Sequence, residues 1–534
     1  MNKHFIFILA LGLDCLILSI NAQESKKKLT SYVNPFIGTG SKDIYSPSGN
    51  TFPGATTPFG LVQLSPDTKD APYNPSGYDY SHNEIAGFSH THLSGTGCPD
   101  LYDVLVMPGI GDFHKIENGQ KLIGYISRFD HAEETARPGY YQVKLLDYNI
   151  NAELTVTEHV GLHQYTFPES NNANIIIDLA HRISKEISWI GCNILTSQIR
   201  IINNKTIEGF RILTGWTDGP RKVYFRAEFS KPFNSSVLWN NGTELENQNI
   251  LNGRELKAVL NFSTVESEKI SIKVALSTVS CDNAQLNMQK ELPAWNFENV
   301  CKSADSLWEN ELQKIRVDGT KEQMEIFYTS MYHAFVQPNN LADVNGEYTG
   351  TDMVTRNAPD RKHYSTFSLW DIYRAAHPLY SLIQPARNAE FVNSMIRQYE
   401  TMGFLPIWQL WGQENYCMIG NHAIPIIVDA ILNGLPGIDS EEAYKAVLNS
   451  SLNSHENSPF KIWEKYGYIP EDILSQSVSI TEEMAFNDWC VAQLAKKLGK
   501  NEDYQRFMKR AEFFKNLFDI STHFLGLKIQ MVNG

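Results

Sequence analysis

Residues 223–229 read Val-Tyr-Phe-Arg-Ala-Glu-Phe, so apolar and polar side chains alternate along this stretch. A period of two predicts a β-strand with one buried face. Similar β-rich patterns recur at residues 270–276 and 154–162, and Asn-Gly pairs at 241–242 and 252–253 predict turns between strands. We therefore expect a β-sandwich domain over residues 30–284.

The periodicity becomes helical from about residue 321. Apolar residues from Met324 to Phe335 are spaced by three and four positions, and residues 392–402 repeat this pattern. Capping boxes predict helix starts at Asp439 and Ser479, and Gly499 predicts a helix end. Helical hairpins in series predict a partial (α/α)6 toroid over residues 319–534, joined to the sandwich by a helical linker at 285–318.

The composition is that of a globular protein, and the N-terminal segment indicates export. Sixty acidic and 46 basic residues give a formal net charge of −14, which argues against nucleic-acid binding. Residues 1–22 have the short basic start and apolar core of a signal peptide, so we expect a periplasmic or extracellular protein. No later segment is apolar enough to predict a membrane span. No cysteine pair has CxxC spacing, so a zinc ribbon is not indicated.

Three short motifs have both a functional and a structural interpretation. The stretch 49–68 is dense in glycine and proline, which predicts either a loop close to a ligand or a rigid turn. His90 and His92 alternate, so they either bind a metal or serve packing and hydrogen bonding. Residues 343–347 resemble a calcium loop, but the glycine position favours a hairpin turn.

Two motifs in the second half combine aromatic and polar residues. A helix over 365–385 would place Asp371 and Arg374 one turn apart, with Trp370 beside them. The stretch 403–422 contains Trp408, Trp411, Glu414, Asn415, Cys417 and His422. Sugar sites combine flat aromatic surfaces with carboxylates and amides, but the same residues would also serve as the core and caps of a toroid. Both interpretations stay open at this point.

Six motifs in order resemble glycoside hydrolase family 92. They are NPFIGTG (34–40), GNTFPGATTPFGLVQLSPDT (49–68), GFSHTHLSGTGCPD (87–100), FSLWDIYRAAHPL (367–379), GFLPIW (403–408) and NDWCVAQLAKKLGK (487–500). The resemblance implies a β-sandwich packed on an (α/α)6 barrel with the active site between them. It also implies inverting hydrolysis of terminal α-mannosides in glycans, with calcium holding hydroxyls of the mannose.

The resemblance also implies roles for seven residues. Phe59 and Gly60 lie in the loop expected to reach the terminal sugar. Asp371 is expected to accept sugar hydroxyls, with Trp370 as a platform and Arg374 orienting the carboxylate. Glu414 and Cys417 match a family stretch that lines the pocket.

The stretches that carry the family's catalytic acid, catalytic base and calcium ligands have no match in this sequence. We therefore expect the chain to stop before these residues and to be inactive, with the calcium ligands beyond residue 534. Two alternatives to a mannosidase stay open: a glycoside phosphorylase of similar architecture, and a mannose-binding remnant without catalysis.

Overall fold

A β-sandwich and a helical domain follow one another along the chain, in the predicted order. The computed structural model describes residues 27–40, 49–68, 75–111, 114–117, 120–123, 125–182, 192–245, 248–455 and 458–530. The predicted signal peptide lies outside these residues. Among the described helices, none combines the length and apolarity needed to cross a membrane.

The sandwich consists of two nine-stranded antiparallel sheets. In sheet order, the first contains Ala55–Thr56, Gln63–Thr68, Glu84–Ser89, Leu105–Ile110, Ser170–Asp178, Leu256–Thr264, Ser235–Asn240 and Thr243–Leu245, with Ser127–Arg128 beside Glu84–Ser89. The second contains Ile250–Gly253, Ile194–Asn203, Thr206–Leu213, Arg221–Phe229, Glu268–Ser277, Val160–Phe167, Ile150–Val156, Tyr140–Leu145 and Glu134–Arg137.

The strand predictions are confirmed by burial. In the strand Arg221–Phe229, buried and partly exposed residues alternate without interruption. Val223, Phe225 and Ala227 are fully buried in the core between the two sheets. The alternation read from the sequence is therefore the inner and outer face of one strand.

Helices Cys281–Glu291 and Phe297–Leu312 connect the sandwich to the helical domain. That domain contains helices Lys321–Ala334, Leu369–Ile372, Ala376–Ile383, Pro385–Met402, Ala423–Leu432, Ser440–Ser450, Phe460–Tyr466, Ser477–Lys497 and Asn501–Ala511. Its short strands are Asn339–Asn340, Glu347–Thr349, Thr355–Asn357, Tyr364–Ser365, Phe367–Ser368, Trp408–Leu410, Gln413–Glu414, Phe518–Asp519 and Phe524–Leu525. A separate hairpin pairs His114–Glu117 with Gln120–Ile123, and 3-10 turns occupy Leu29–Tyr32, His131–Glu133 and Phe513–Leu517.

Two predicted helix boundaries are confirmed at their capping residues, and one predicted helix start is wrong. Asp439 accepts hydrogen bonds from two backbone N–H groups at the start of Ser440–Ser450, as predicted. The helix ending at Lys497 is followed by Gly499 with φ +72°. The predicted start at Ser479 is wrong, because that helix begins at Ser477 without a side-chain cap.

The predicted helix over 365–385 is also interrupted. Thr366 has φ +69°, Phe367–Ser368 is a strand paired with Trp408–Leu410, and only Leu369–Ile372 is helical before Ala376–Ile383 begins. The pairing of the strand removes the first turn of the predicted helix. Residues 343–346 form the turn expected from the glycine position, since the Gly346 N–H donates to the carbonyl of Asp343 (2.7 Å).

Phe59 anchors the sandwich in the helical domain. Its ring is 1% exposed and lies 5.7 Å from the ring of Phe335 and 5.3 Å from that of Phe391, measured between centroids. Its N–H donates to the carbonyl of Phe335 (2.9 Å), and its own carbonyl accepts from the N–H of Asn340 (3.0 Å). A loop of the β-domain thus contributes a core residue to the helical domain.

His159 forms a second, polar connection at the same junction. Its Nδ1 lies 2.5 Å from a carboxylate oxygen of Glu291, on the first linker helix, and its Nε2 lies 2.9 Å from the carbonyl of Ala342. Burial alone would lower the pKa of His159, but the Glu291 carboxylate more than offsets this and raises it to about 9. At neutral pH both ring nitrogens therefore carry protons and donate, which ties the sandwich, the linker and the helical domain together.

Candidate functional site

A cavity of about 470 Å³ lies where the two domains meet. The β-domain contributes residues 94–98 and Trp216, and the helical domain contributes the remaining wall. The residues from the helical domain are His333, Ala334, Gln337, Pro338, Thr366, Ser368, Asp371, Ile372, Ala376, Tyr380, Trp408, Cys417 and Met418. The volume is within the range of small-molecule sites.

Trp216 is held at the cavity by a buried ionic network. Its backbone N–H donates to the carboxylate of Asp100 (2.7 Å), which also pairs with Arg221 (3.1 Å). Arg221 in turn binds Asp103 (2.5 Å), and Arg211 binds the other oxygen of Asp103 (2.6 Å). Burial raises the pKa of Asp103, but Arg211 and Arg221 outweigh it and hold the pKa below its usual value. The network fixes the loop that carries the indole.

Two tryptophans, one from each domain, lie together at the cavity. The rings of Trp216 and Trp408 have centroids 4.7 Å apart and planes inclined by 55°. Trp408 is buried, whereas Trp216 is partly exposed. Aromatic faces of this kind pack against the C–H faces of pyranose rings.

Asp371 and Cys417 line the cavity, in agreement with their predicted position. Asp371 lies in the short helix Leu369–Ile372, and its carboxylate accepts a hydrogen bond from the hydroxyl of Ser368. Ser368, rather than the predicted Arg374, therefore orients the carboxylate. Asp371 is exposed, so it has free lone pairs to accept hydrogen bonds from a ligand.

Trp370 and Arg374 belong to a neighbouring cluster. The guanidinium of Arg374 lies over the rings of Trp370 (5.0 Å) and Tyr373 (4.7 Å) and donates to Glu483 (3.0 Å). His422 stacks on Tyr373, with centroids 4.3 Å apart. Trp370 and Arg374 are not among the described residues that line the cavity, and Arg374 contacts Glu483 instead of Asp371. Their roles toward a sugar stay predictions.

Glu414 has a structural role instead of the predicted place in the pocket. Its carboxylate is 4% exposed and accepts hydrogen bonds from four backbone N–H groups, those of residues 407, 408, 415 and 416, at 2.7–3.0 Å. Burial raises the pKa of Glu414 to about 7, although these N–H groups lower it. The side chain closes the turn that presents Trp408 and Cys417 to the cavity.

Phe59 and Gly60 do not reach the cavity either. Phe59 is in the core of the helical domain, since an apolar ring gains more from burial there than from exposure in a polar site. A Cβ on Gly60 would lie 2.2 Å from the hydroxyl of Thr57, so the loop needs glycine for its close packing. The dense glycine and proline pattern thus reflects a tightly packed anchor.

The two histidines of the 87–100 motif are hydrogen bonded inside the β-domain. His92 pairs with Asp67 (2.8 Å), which also accepts from His181 (2.8 Å). His90 bonds the carbonyl of Val104 (2.6 Å) and the ring of His163 (3.0 Å). The hydrogen-bonding interpretation is the one that the structure shows.

The described residues do not fit a calcium site at the cavity. Calcium takes six to eight oxygen ligands, whereas Asp371 is the one carboxylate that lines the cavity within the described part of the chain. Within that part, three metal-ligating groups do lie close together at the domain junction, those of Glu158, His159 and Glu291. Both nitrogens of His159 already donate there, and Glu158 pairs with Lys362 (3.0 Å), so this cluster is an ion-pair network.

Residues missed from the sequence complete the cavity wall. Trp216 and His333 lie outside the two motifs that combine aromatic and polar residues, and Thr366 lies in one of them but is not among its aromatic or charged residues; the structure brings the three together. Gly215 and Gly219 lie on either side of Trp216, and this glycine spacing is a sequence signal from which a tight loop can be predicted.

Two family models match the chain. The glycosyl hydrolase family 92 N-terminal domain matches residues 32–277, and the glycosyl hydrolase family 92 catalytic domain matches residues 283–531. The expectation that the chain is inactive through truncation is therefore not supported, because the catalytic-domain model matches within it.

Solved structures from Bacteroides thetaiotaomicron have the same fold. The family GH92 alpha-mannosidase BT3965 is 39% identical, with a TM-score of 0.87 over 94% of this chain and 67% of its own. The inverting mannosidase BT2199 is 27% identical, with a TM-score of 0.83 over 95% of this chain and 67% of its own. These likenesses confirm the predicted β-sandwich and helical domain.

A curated relative, an uncharacterized secreted glycosidase of Arthroderma benhamiae, is 26% identical over 555 aligned residues, which cover 96% of this chain. The chain spans 64% of the length of that relative. The matching domain models and the 39% identity to the alpha-mannosidase agree with the six sequence motifs. The chain belongs to glycoside hydrolase family 92.

Proposed function

We propose that this protein is a glycosidase that removes terminal α-linked mannose from glycans with inversion. Membership of the family supports the proposal, as do the relatives, which include an alpha-mannosidase and an inverting mannosidase. One structure of the alpha-mannosidase is a complex with mannoimidazole. The secreted glycosidase supports an exported location, periplasmic or extracellular.

The interdomain cavity is the observation on which the proposal rests. Trp216, which is partly exposed and packs on the buried Trp408, offers an aromatic face for the apolar side of a sugar ring, and Asp371 offers a carboxylate for its hydroxyls. A hydrogen bond to a charged group contributes about 1.5–3 kcal/mol. Inversion uses two carboxyl groups about 6.5–9.5 Å apart. The described cavity wall contains one carboxyl group, that of Asp371, and Ser368 orients it as an acceptor for hydroxyls. The proposal therefore assigns Asp371 to sugar binding and assigns neither the catalytic acid nor the base.

A calcium requirement is a separate part of the proposal and rests on the family resemblance. Dialysis against a chelator, followed by return of calcium, tests it through the loss and recovery of mannose release. Activity unchanged by the chelator would contradict this part and leave the mannosidase proposal standing.

The central experiment measures mannose release from α-linked mannobioses by the purified chain, with proton NMR to follow the anomer released. We expect β-mannose as the first product. Asp371→Asn should lower kcat/KM by about 10- to 100-fold, because a neutral amide oxygen is a weaker acceptor. Asp318→Asn, at an exposed position remote from the cavity, is the matched control.

Other outcomes identify the alternatives. Release of mannose 1-phosphate only in the presence of phosphate would identify a phosphorylase. Binding of mannoimidazole without turnover of any mannobiose would identify a mannose-binding protein. Either result contradicts the proposal.

A further inference from the structure

Two polar side chains that line the cavity have no hydrogen-bond partner within the described part of the chain. They are Thr366, through its hydroxyl oxygen, and His333, through Nε2. A buried polar atom that lacks a partner costs about 1–3 kcal/mol. Both residues line the same cavity, so a ligand that reaches these atoms from the cavity is one source of the missing partners.

Thr366 also has a strained backbone. Its φ is +69°, a conformation that a β-branched residue rarely adopts, and the residue is 5% exposed. Both neighbours fix this conformation: Ser365 pairs with Asn339, and Phe367 pairs with Gln409. Strain that the surrounding structure enforces is concentrated at functional sites. The strain and the unpaired hydroxyl occur in the same residue, and that residue faces the cavity.

His333 faces the same cavity from the last turn of the helix Lys321–Ala334. Burial lowers the pKa of His333 to about 4, so the imidazole is neutral at neutral pH. A neutral imidazole nitrogen either donates or accepts one hydrogen bond, and a sugar hydroxyl, which does both, can be its partner in either case.

We infer that Thr366 and His333 form a hydroxyl-binding subsite that positions a pyranose ring against Trp216. The inference rests on the proposed function, because it assigns these residues to the same cavity. Both groups are neutral donor–acceptors, so the subsite recognises hydroxyl groups and distinguishes sugars by where those groups point. Asp371 is the charged acceptor of the same site.

The inference has a signature that a purely structural role would not give. Thr366→Val keeps the shape and the backbone strain but removes the unpaired hydroxyl. We expect it to raise the Tm of the free protein by about 2 °C, and to weaken mannoimidazole binding in calorimetry by about 10-fold. Thr366→Ser, which keeps the hydroxyl, should retain binding. His333→Phe, which keeps a flat ring, should also weaken binding.

Thr349→Val is the matched control. Thr349 is equally β-branched and 8% exposed, but its hydroxyl donates to the carbonyl of Thr278 (2.6 Å), away from the cavity. Loss of this satisfied hydrogen bond should lower the Tm and leave mannoimidazole binding unchanged. The two valine variants should therefore change stability in opposite directions.

The outcomes separate this inference from the proposed function. Unchanged mannoimidazole binding in Thr366→Val and His333→Phe, or a lowered Tm in Thr366→Val, would overturn the subsite and leave the mannosidase proposal intact. Binding of glucoimidazole but not mannoimidazole, lost in both variants, would support the subsite and overturn the mannose assignment. Binding of neither probe by the unmodified protein would overturn both.

Discussion

The His159 junction makes stability depend on pH in a defined window. In the folded protein the pKa of His159 is raised from 6.5 to about 9, because the charged imidazole donates to Glu291. A raised pKa means that folding stabilises the protonated form. The contribution is fully present below pH 6.5 and is lost as pH rises through about 9.

The magnitude follows from the two pKa values. At about 1.4 kcal/mol per pH unit, a rise from 6.5 to about 9 corresponds to about 3 kcal/mol. About 2 kcal/mol of this should be lost between pH 7 and pH 9. The pKa values of His90, His333, His377 and His422 are lowered to between about 3 and about 4, so these residues titrate below the window.

Urea unfolding at pH 7, 8 and 9 measures the effect, with His159→Gln as the comparison protein. We expect the free energy of unfolding to fall by about 2 kcal/mol in the unmodified chain and to change much less in the variant. Glu414 has a pKa of about 7 and contributes equally to both proteins, so the difference between the two curves isolates His159. Parallel curves would refute the assignment of a charged His159.

Three further predictions concern the anchor, the turn and the tryptophan. Phe59→Ala should lower the free energy of unfolding by about 3–5 kcal/mol in urea denaturation, whereas an effect below about 1 kcal/mol would contradict its place in the core. Glu414→Ala should cost about 3 kcal/mol in the same assay and weaken mannoimidazole binding, because four backbone donors lose their acceptor; retained binding would show that the turn does not need the carboxylate. Trp216→Ala should weaken mannoimidazole binding by about 10-fold in calorimetry with little change in Tm, since the ring is partly exposed; a large fall in Tm with intact binding would make Trp216 a structural residue.

The sequence predicted the elements whose signal is local. Alternation over residues 223–229 is a property of one strand, and the spacing from Met324 to Phe335 is a property of one helix, so both predictions are confirmed. The helix over 365–385 was wrong because its apolar spacing competes with strand pairing to Trp408–Leu410, which is remote in sequence. Local periodicity does not report such a pairing.

The site was predicted less completely than the fold. Asp371 and Cys417 lie in motifs that the family shares, and both line the cavity, while their contact with a sugar stays a prediction. Glu414 and Phe59 were assigned to the pocket because a motif marks a region without distinguishing the residues that face a ligand from those that support them. Trp216 comes from the β-domain, and its approach to Trp408 depends on how the two domains pack.

The insertion of Phe59 into the helical domain limits how the protein can be divided or recombined. A β-domain expressed alone would present this ring to water, and the helical domain alone would have a vacancy between Phe335 and Phe391. A chimera that joins one domain of this protein to the other domain of a relative would pack poorly at this contact. Phe59 and the residues around its ring, Phe335 and Phe391, would have to be exchanged together.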